Sequence, residues 1–212
     1  MEEYAIILDY LPLGYVKGDL SSFKKKPIAQ ALGTDEFTLL ELIPKKGVEL
    51  NIHDKVYIGP EKRDEIYRVN GKLPFDNLTA TSRVELPFII EEIIKSNEEK
   101  YIKFFNEASP INARLHRLEL LPGVGKTHRQ TILETREKEP FKDFADLKER
   151  VPLLKDPVTS VSKRVMIELD TNVERKGKNK YKLFTPNPQM RNREHNNDNR
   201  RRSRPRRPRR DY

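Results

Sequence analysis

Near Thr81 the apolar residues of this chain change their spacing, and that change limits the possible folds more than any other feature. Before it lie short apolar runs at residues 4–10, 28–33, 37–43, 54–59 and 65–70, punctuated by Pro12, Gly14, Gly18, Pro27, Pro44, Gly47, Pro60 and Gly71. Runs of that length between turn residues read as strands, and five of them predict a small OB-like β-barrel over residues 1–81. After it, apolar residues recur at three and four positions, the period of a helix with one buried face.

Punctuation places the expected helices. Pro87 suits a first helical turn and predicts a helix over 88–95; Ser96-Asn97-Glu98-Glu99 has capping-box spacing ahead of Tyr101, Ile102, Phe104, Phe105 and Ala108. Together they make a linking helical hairpin, residues 82–109. Ser109 before Pro110 then reads as an N-cap opening a helix with Ile111, Leu115 and Leu118 on one face. Phe144, Leu147 and Val151 mark a further helix, and Val158, Val161, Val165 and Leu169 another. The expected class is α+β in two domains, the second being all-α over residues 110–173.

Charge divides the chain unevenly. Residues 174–212 hold 15 Lys or Arg against 4 Asp or Glu, a net of +11, while the preceding residues carry a net of −2. Eight of the eleven residues from Arg200 to Arg210 are arginine, including Arg200, Arg201 and Arg202. A segment so poor in apolar residues cannot offset its ordering entropy by burial, so a disordered basic tail is expected over 174–212. Its expected partner is a polyanion bound without sequence choice. The 212 residues include no cysteine, which removes disulfides and thiolate metal sites, and no apolar run approaches the length of a membrane span. A cytoplasmic protein with no membrane partner is the expectation.

The sharpest motif is Leu118-Glu119-Leu120-Leu121-Pro122-Gly123-Val124-Gly125-Lys126, which resembles a helix-hairpin-helix. Two glycines permit a tight turn and close approach of a ligand, while Val124 between them can enter the core. The turn delivers a helix N-terminus, and the N–H groups of Val124, Gly125 and Lys126 are expected to point outward as a phosphate seat that reads no base. Lys126, Thr127, His128 and Arg129 follow in the first turn. Cations there oppose the helix dipole, and selection for helix stability alone favours acids at those positions. Arg129 stands where many such motifs carry a small residue. A second unit over the next two helices lacks Gly-x-Gly and is expected to support the first.

Catalysis finds little footing. Asp143 and Asp146 lie at the distance from the hairpin where a glycosylase of this class carries its aspartate, yet Asp143 is also well placed as an N-cap. His53, His116, His128 and His195 are scattered, without metal-ligand spacing. Between the first two strands, Tyr15, Lys17, Phe23, Lys24, Lys25 and Lys26 mix rings with cations, as a single-strand binder does, or form a solvated loop.

The run from Ala113 to Lys126, with Phe104-Phe105-Asn106-Glu107-Ala108 upstream and Pro140-Phe141 and Phe144-Ala145-Asp146-Leu147-Lys148-Glu149-Arg150-Val151 downstream, resembles an archaeal family, domain of unknown function 655. The resemblance implies nucleic-acid binding through an OB-like barrel joined to a helix-hairpin-helix region. The family's gene neighbourhood, rich in translation and transcription genes, implies RNA rather than DNA and a ribosomal association. The hairpin class further implies a monovalent cation held by the carbonyls of Glu119, Leu121 and Val124, while the residues themselves lead to the expectation of no other metal and no cofactor. The alternatives are a DNA-processing factor or glycosylase-like enzyme, and a ribosome- or polymerase-bound protein adaptor.

Overall fold

The computed structural model describes residues 2–15, 26–170 and 181–186. Strands β1 (Tyr4–Leu11), β2 (Ile28–Gly33), β3 (Leu39–Pro44), β4 (Lys55–Tyr57) and β5 (Ile66–Lys72) form one sheet in the order β4-β1-β2-β3-β5. Every pairing is antiparallel. Register shifts in β1 between Ile7 and Asp9, and at two places along the β3–β5 pair, help curl it into a half-barrel, because bulges bend and twist a strand. No ladder joins the outer strands β4 and β5, so the barrel stays open on that side.

β1 explains how sheet and helices share a core. Its run Tyr4-Ala5-Ile6-Ile7-Leu8 is apolar at successive positions, as in strands buried on both faces. Ala5 and Ile7 join Ala29, Ala31, Leu40, Leu42, Val56 and Ile66 inside the curl. Ile6 and Leu8 face the other way, with Leu32 and Leu39, into a larger cluster that reaches all five helices: α1 (Ala80–Ser96), α2 (Glu98–Glu107), α3 (Lys126–Lys138), α4 (Phe144–Arg150) and α5 (Pro157–Leu169). One apolar core therefore crosses the expected boundary at residue 81.

Three expectations need correction. α1 starts at Ala80, eight residues before the predicted 88, because Thr79 accepts the Ser82 N–H as N-cap; Pro87 lies inside the helix. Burial of Leu86, Ile89, Ile90, Ile93 and Ile94 outweighs the hydrogen bond Pro87 cannot make. The helix expected from Pro110 is absent. Residues there form a small hairpin, β6 (Pro110–Asn112) with β7 (Leu115–His116), and a 3-10 turn, Arg117–Leu120. Asn112 Oδ1 accepts the Arg114 N–H and His116 Nδ1 accepts the Leu118 N–H, local bonds that compete with a helix ladder.

The third correction concerns the tail. Residues 181–186, expected to be disordered, lie docked against α5 and α2. Glu168, 2% exposed, accepts the N–H groups of Leu183, Phe184 and Thr185 and the Thr185 hydroxyl. Arg164 Nε pairs with the same carboxylate at 2.7 Å, and its Nη2 donates to the Tyr181 carbonyl. Phe184 packs its ring edgewise against Tyr101 and Phe104. No described helix is long and apolar enough to cross a membrane.

His53 ties the β3–β4 connection to α1 at φ +72°, its Nδ1 3.0 Å from Glu92 Oε2 and its Nε2 3.2 Å from Glu85 Oε2. The Glu92 and then the Glu85 hydrogen bond raise its pKa above the ordinary value. The raised folded value makes this contribution full below the unfolded pKa of about 6.5, and it fades as pH climbs through the folded value. With 44% of the side chain exposed, screening keeps the effect below about 1 kcal/mol. Expected, then, is a His53→Asn chain, tolerant of positive φ, that melts below the parent at pH 5.5 and level with it at pH 9.

Candidate functional site

The turn before α3 is built much as its residues dictate. Gly123 sits at φ +87°, a conformation that favours glycine, and Val124 is buried at 5% exposure in the common core. Gly125 is the N-cap of α3 and offers no side-chain acceptor, and the first turn contains no acid. The Arg129 N–H reaches the Gly125 carbonyl at 2.9 Å, the first bond of the helix. The N–H groups of Gly125, Lys126, Thr127 and His128 meet no acceptor among the described residues, and Gly123, Gly125, Lys126 and Thr127 are exposed. Space around a Cβ built on Gly125 is empty to 4 Å.

Three of the other four helix starts differ in one respect, and the fourth, α2, lacks a capping side chain but carries Glu98 and Glu99 in its first turn. Thr79, Asp143 and Asp156 each place a side-chain oxygen on a first-turn amide of α1, α4 and α5. At the second hairpin, Asp156 accepts from Thr159 and puts a negative charge where an anion would sit. Among these four starts, the Gly-x-Gly turn leaves its amides open beside a lysine.

Several groups expected to face a ligand point elsewhere. The Val124 N–H does not face outward, since it donates to the Leu121 carbonyl at 3.0 Å. That bond also occupies one of the three carbonyls expected to hold a cation. His128 Nε2 lies 3.2 Å from the Leu153 carbonyl, which ties α3 to the α4–α5 connection. Arg129 folds back to Glu119 at 3.4 Å, and Glu119 in turn accepts the His116 N–H. Burial first, then the Arg136 and Arg129 charges, lowers the His116 pKa. Arg129 thereby braces the 3-10 turn against α3.

The wider comparisons agree with this architecture. Residues 1–186 match the family model described as a protein of unknown function, DUF655. The chain belongs to the DUF655 family. It is 42% identical over 184 residues to the uncharacterized protein MJ0038 of Methanocaldococcus jannaschii, covering 86% of this chain and 79% of that protein. The crystal structure of Af1531 from Archaeoglobus fulgidus, also DUF655, superposes with a TM-score of 0.80 at 40% identity, over 87% of this chain and all of that one. The family match ends at Pro186, the last residue of the docked segment, and leaves the arginine-rich stretch outside.

Within this DUF655 chain the remaining candidates are dispersed. Lys26 is exposed at the foot of β2, while Lys24, Lys25, Arg200, Arg201 and Arg202 lie outside the described residues. Tyr15 donates to Glu41 and accepts from Gln30, so its hydroxyl is engaged with the sheet. Asp143 caps α4 through the Asp146 N–H at 2.7 Å. Asp146 accepts the Lys142 N–H and pairs with Arg150, which hold its carboxyl below the usual range. Both aspartates are committed to helix structure.

Sequence reasoning missed Glu168 and its docked segment. The available signal was Arg164 and Glu168, opposite charges four residues apart on an otherwise apolar helix face.

Proposed function

We propose that this DUF655 protein is a non-catalytic nucleic-acid binder that grips phosphate through the main chain at the start of α3. One observation carries the reading: four consecutive amides, Gly125 to His128, lack an acceptor among the described residues and stand at the positive end of a thirteen-residue helix. Lys126 adds a charge that weakens the helix unless an anion arrives. Backbone amides recognise phosphate without reading bases, so the hairpin sets register and the ten arginines after residue 186 supply long-range attraction. The preferred partner is RNA, ribosomal or otherwise structured. That preference comes from the family's gene setting, and the hairpin itself is indifferent to the sugar.

The test is a titration of structured RNA and duplex DNA across salt, using the full chain and a chain ending at Pro186. Ending there keeps the segment held by Glu168. Each phosphate that is no longer neutralised lowers the log–log salt slope by about 0.7–0.9, so removing the arginines flattens it most, while Lys126→Ala lowers it by about one such step. A shortened chain with the parent slope overturns the role of the arginines.

An adaptor reading draws on Val84 and Phe88, both 61% exposed and one turn apart on α1. It predicts nuclease-resistant capture of a protein partner, abolished by Phe88→Glu.

A further inference from the structure

A cavity of about 300 Å³ lies where β4 and β5 fail to pair, with Leu40, Ile58 and Val69 as an aliphatic floor. That volume reaches the range of small-molecule sites. Arg63 and Lys72 stand on its rim, and neither forms an ion pair among the described residues. Arg63 Nε donates to the Gly59 carbonyl at 2.9 Å, which fixes the direction of its guanidinium. Of the two acids present, Glu2 is 8% exposed and spends its charge on the N–H groups of Asp35, Glu36 and Thr38. Gly33 makes room for it, since a Cβ there would fall 2.1 Å from the Glu2 carboxyl carbon. Glu36 is the second acid of the lining.

An added peptide strand fits this mouth poorly. The β3–β5 pair is bulged twice, and Arg68 and Lys72 lie along its edge, features that discourage strand addition. An anionic ligand with a flat, partly apolar body fits it well. Thr38 and Lys72 also line a smaller cleft whose far wall includes Pro186, so the chain sets out toward its ten arginines from beside the mouth.

We propose that the mouth binds one unpaired nucleotide of a single-stranded nucleic acid, its base against Leu40, Ile58 and Val69 and its phosphate between Arg63 and Lys72. This rests on the nucleic-acid reading above but uses a surface separate from the hairpin.

The chain contains no tryptophan, so Tyr67→Trp, at an exposed aromatic two residues before Val69 on β5, gives a reporter free of background in the full-length protein. Titration with a six-nucleotide oligoadenylate is expected to quench its emission saturably, and Arg63→Ala with Lys72→Ala to weaken that binding about tenfold. If the tryptophan perturbs folding, anisotropy of labelled oligoadenylate with the two charge variants in the unaltered background measures the same tenfold loss. Oligoadenylate affinity unmoved by the charge variants, with duplex still bound through the hairpin, overturns the nucleotide site alone. Saturation by an extended Val-Thr peptide in place of the oligonucleotide makes it a strand-addition site and also overturns it. A parent chain that binds neither oligonucleotide nor duplex sinks the nucleic-acid reading as a whole.

Discussion

Glu168→Ala is expected to destabilise the protein by about 3–5 kcal/mol, the usual cost of leaving a buried charge without its partner. The carboxylate is 2% exposed and receives Arg164 Nε, three main-chain amides and a hydroxyl. Alanine leaves the Arg164 guanidinium, itself 5% exposed, opposite a hole, and releases residues 181–186. In a protein of this size that loss lowers the melting temperature by roughly 10 °C. Thermal and urea unfolding measure it. Adding Arg164→Met should recover part of the loss, since replacing both charges by apolar groups removes the uncompensated one. A Glu168→Ala chain that melts within about 2 °C of the parent would show that the docked segment contributes nothing.

Gly125→Val should cost the hairpin about ten- to a hundredfold in affinity for duplex at low salt, the equivalent of one or two charge-assisted hydrogen bonds. The backbone there, φ −92° and ψ −173°, is extended and suits a β-branched residue, and nothing crowds its Cβ. The fold is therefore expected to survive while the isopropyl group screens the Lys126 and Thr127 amides. Gly123→Val separates the two effects: at φ +87° it strains the backbone by about 1–2 kcal/mol, a stability loss visible in unfolding. Measuring both variants by anisotropy and by melting distinguishes a binding glycine from a turn glycine. Equal duplex affinity in Gly125→Val and parent, in chains ending at Pro186, removes the hairpin from the account.

Local chemistry was legible wherever the residues themselves imposed it. The five strands stood out by their punctuation. Asp143 announced its helix by capping it, and Val124 entered the core between its glycines. The α+β class and the family resemblance both stand. What escaped was structure decided by competition or from a distance. Ser109-Pro110 carries a strong helix-start signature, yet Asn112 and His116 turn their side chains on nearby amides and a hairpin wins. Residues 181–186 have no apolar period because Glu168 holds them largely by their main chain, and main-chain recognition leaves no mark on residue type. The nucleotide-sized mouth was hidden for another reason, since it exists only because β4 and β5, consecutive in the chain, stand at opposite ends of the sheet and do not pair.

The apolar slab shared by β1 and the helices bears on how the molecule comes apart. Cutting the chain near residue 81 would leave Ile6, Leu8, Leu32 and Leu39 facing water on one fragment and Leu86, Ile89, Ile90 and Ile93 on the other. Neither fragment should be well behaved in isolation, and amide exchange in the sheet and in α1 should proceed through the same rare opening. A phosphate held at α3 and a base held at the mouth would then draw on a single reservoir of rigidity, each ligand slowing exchange around the other.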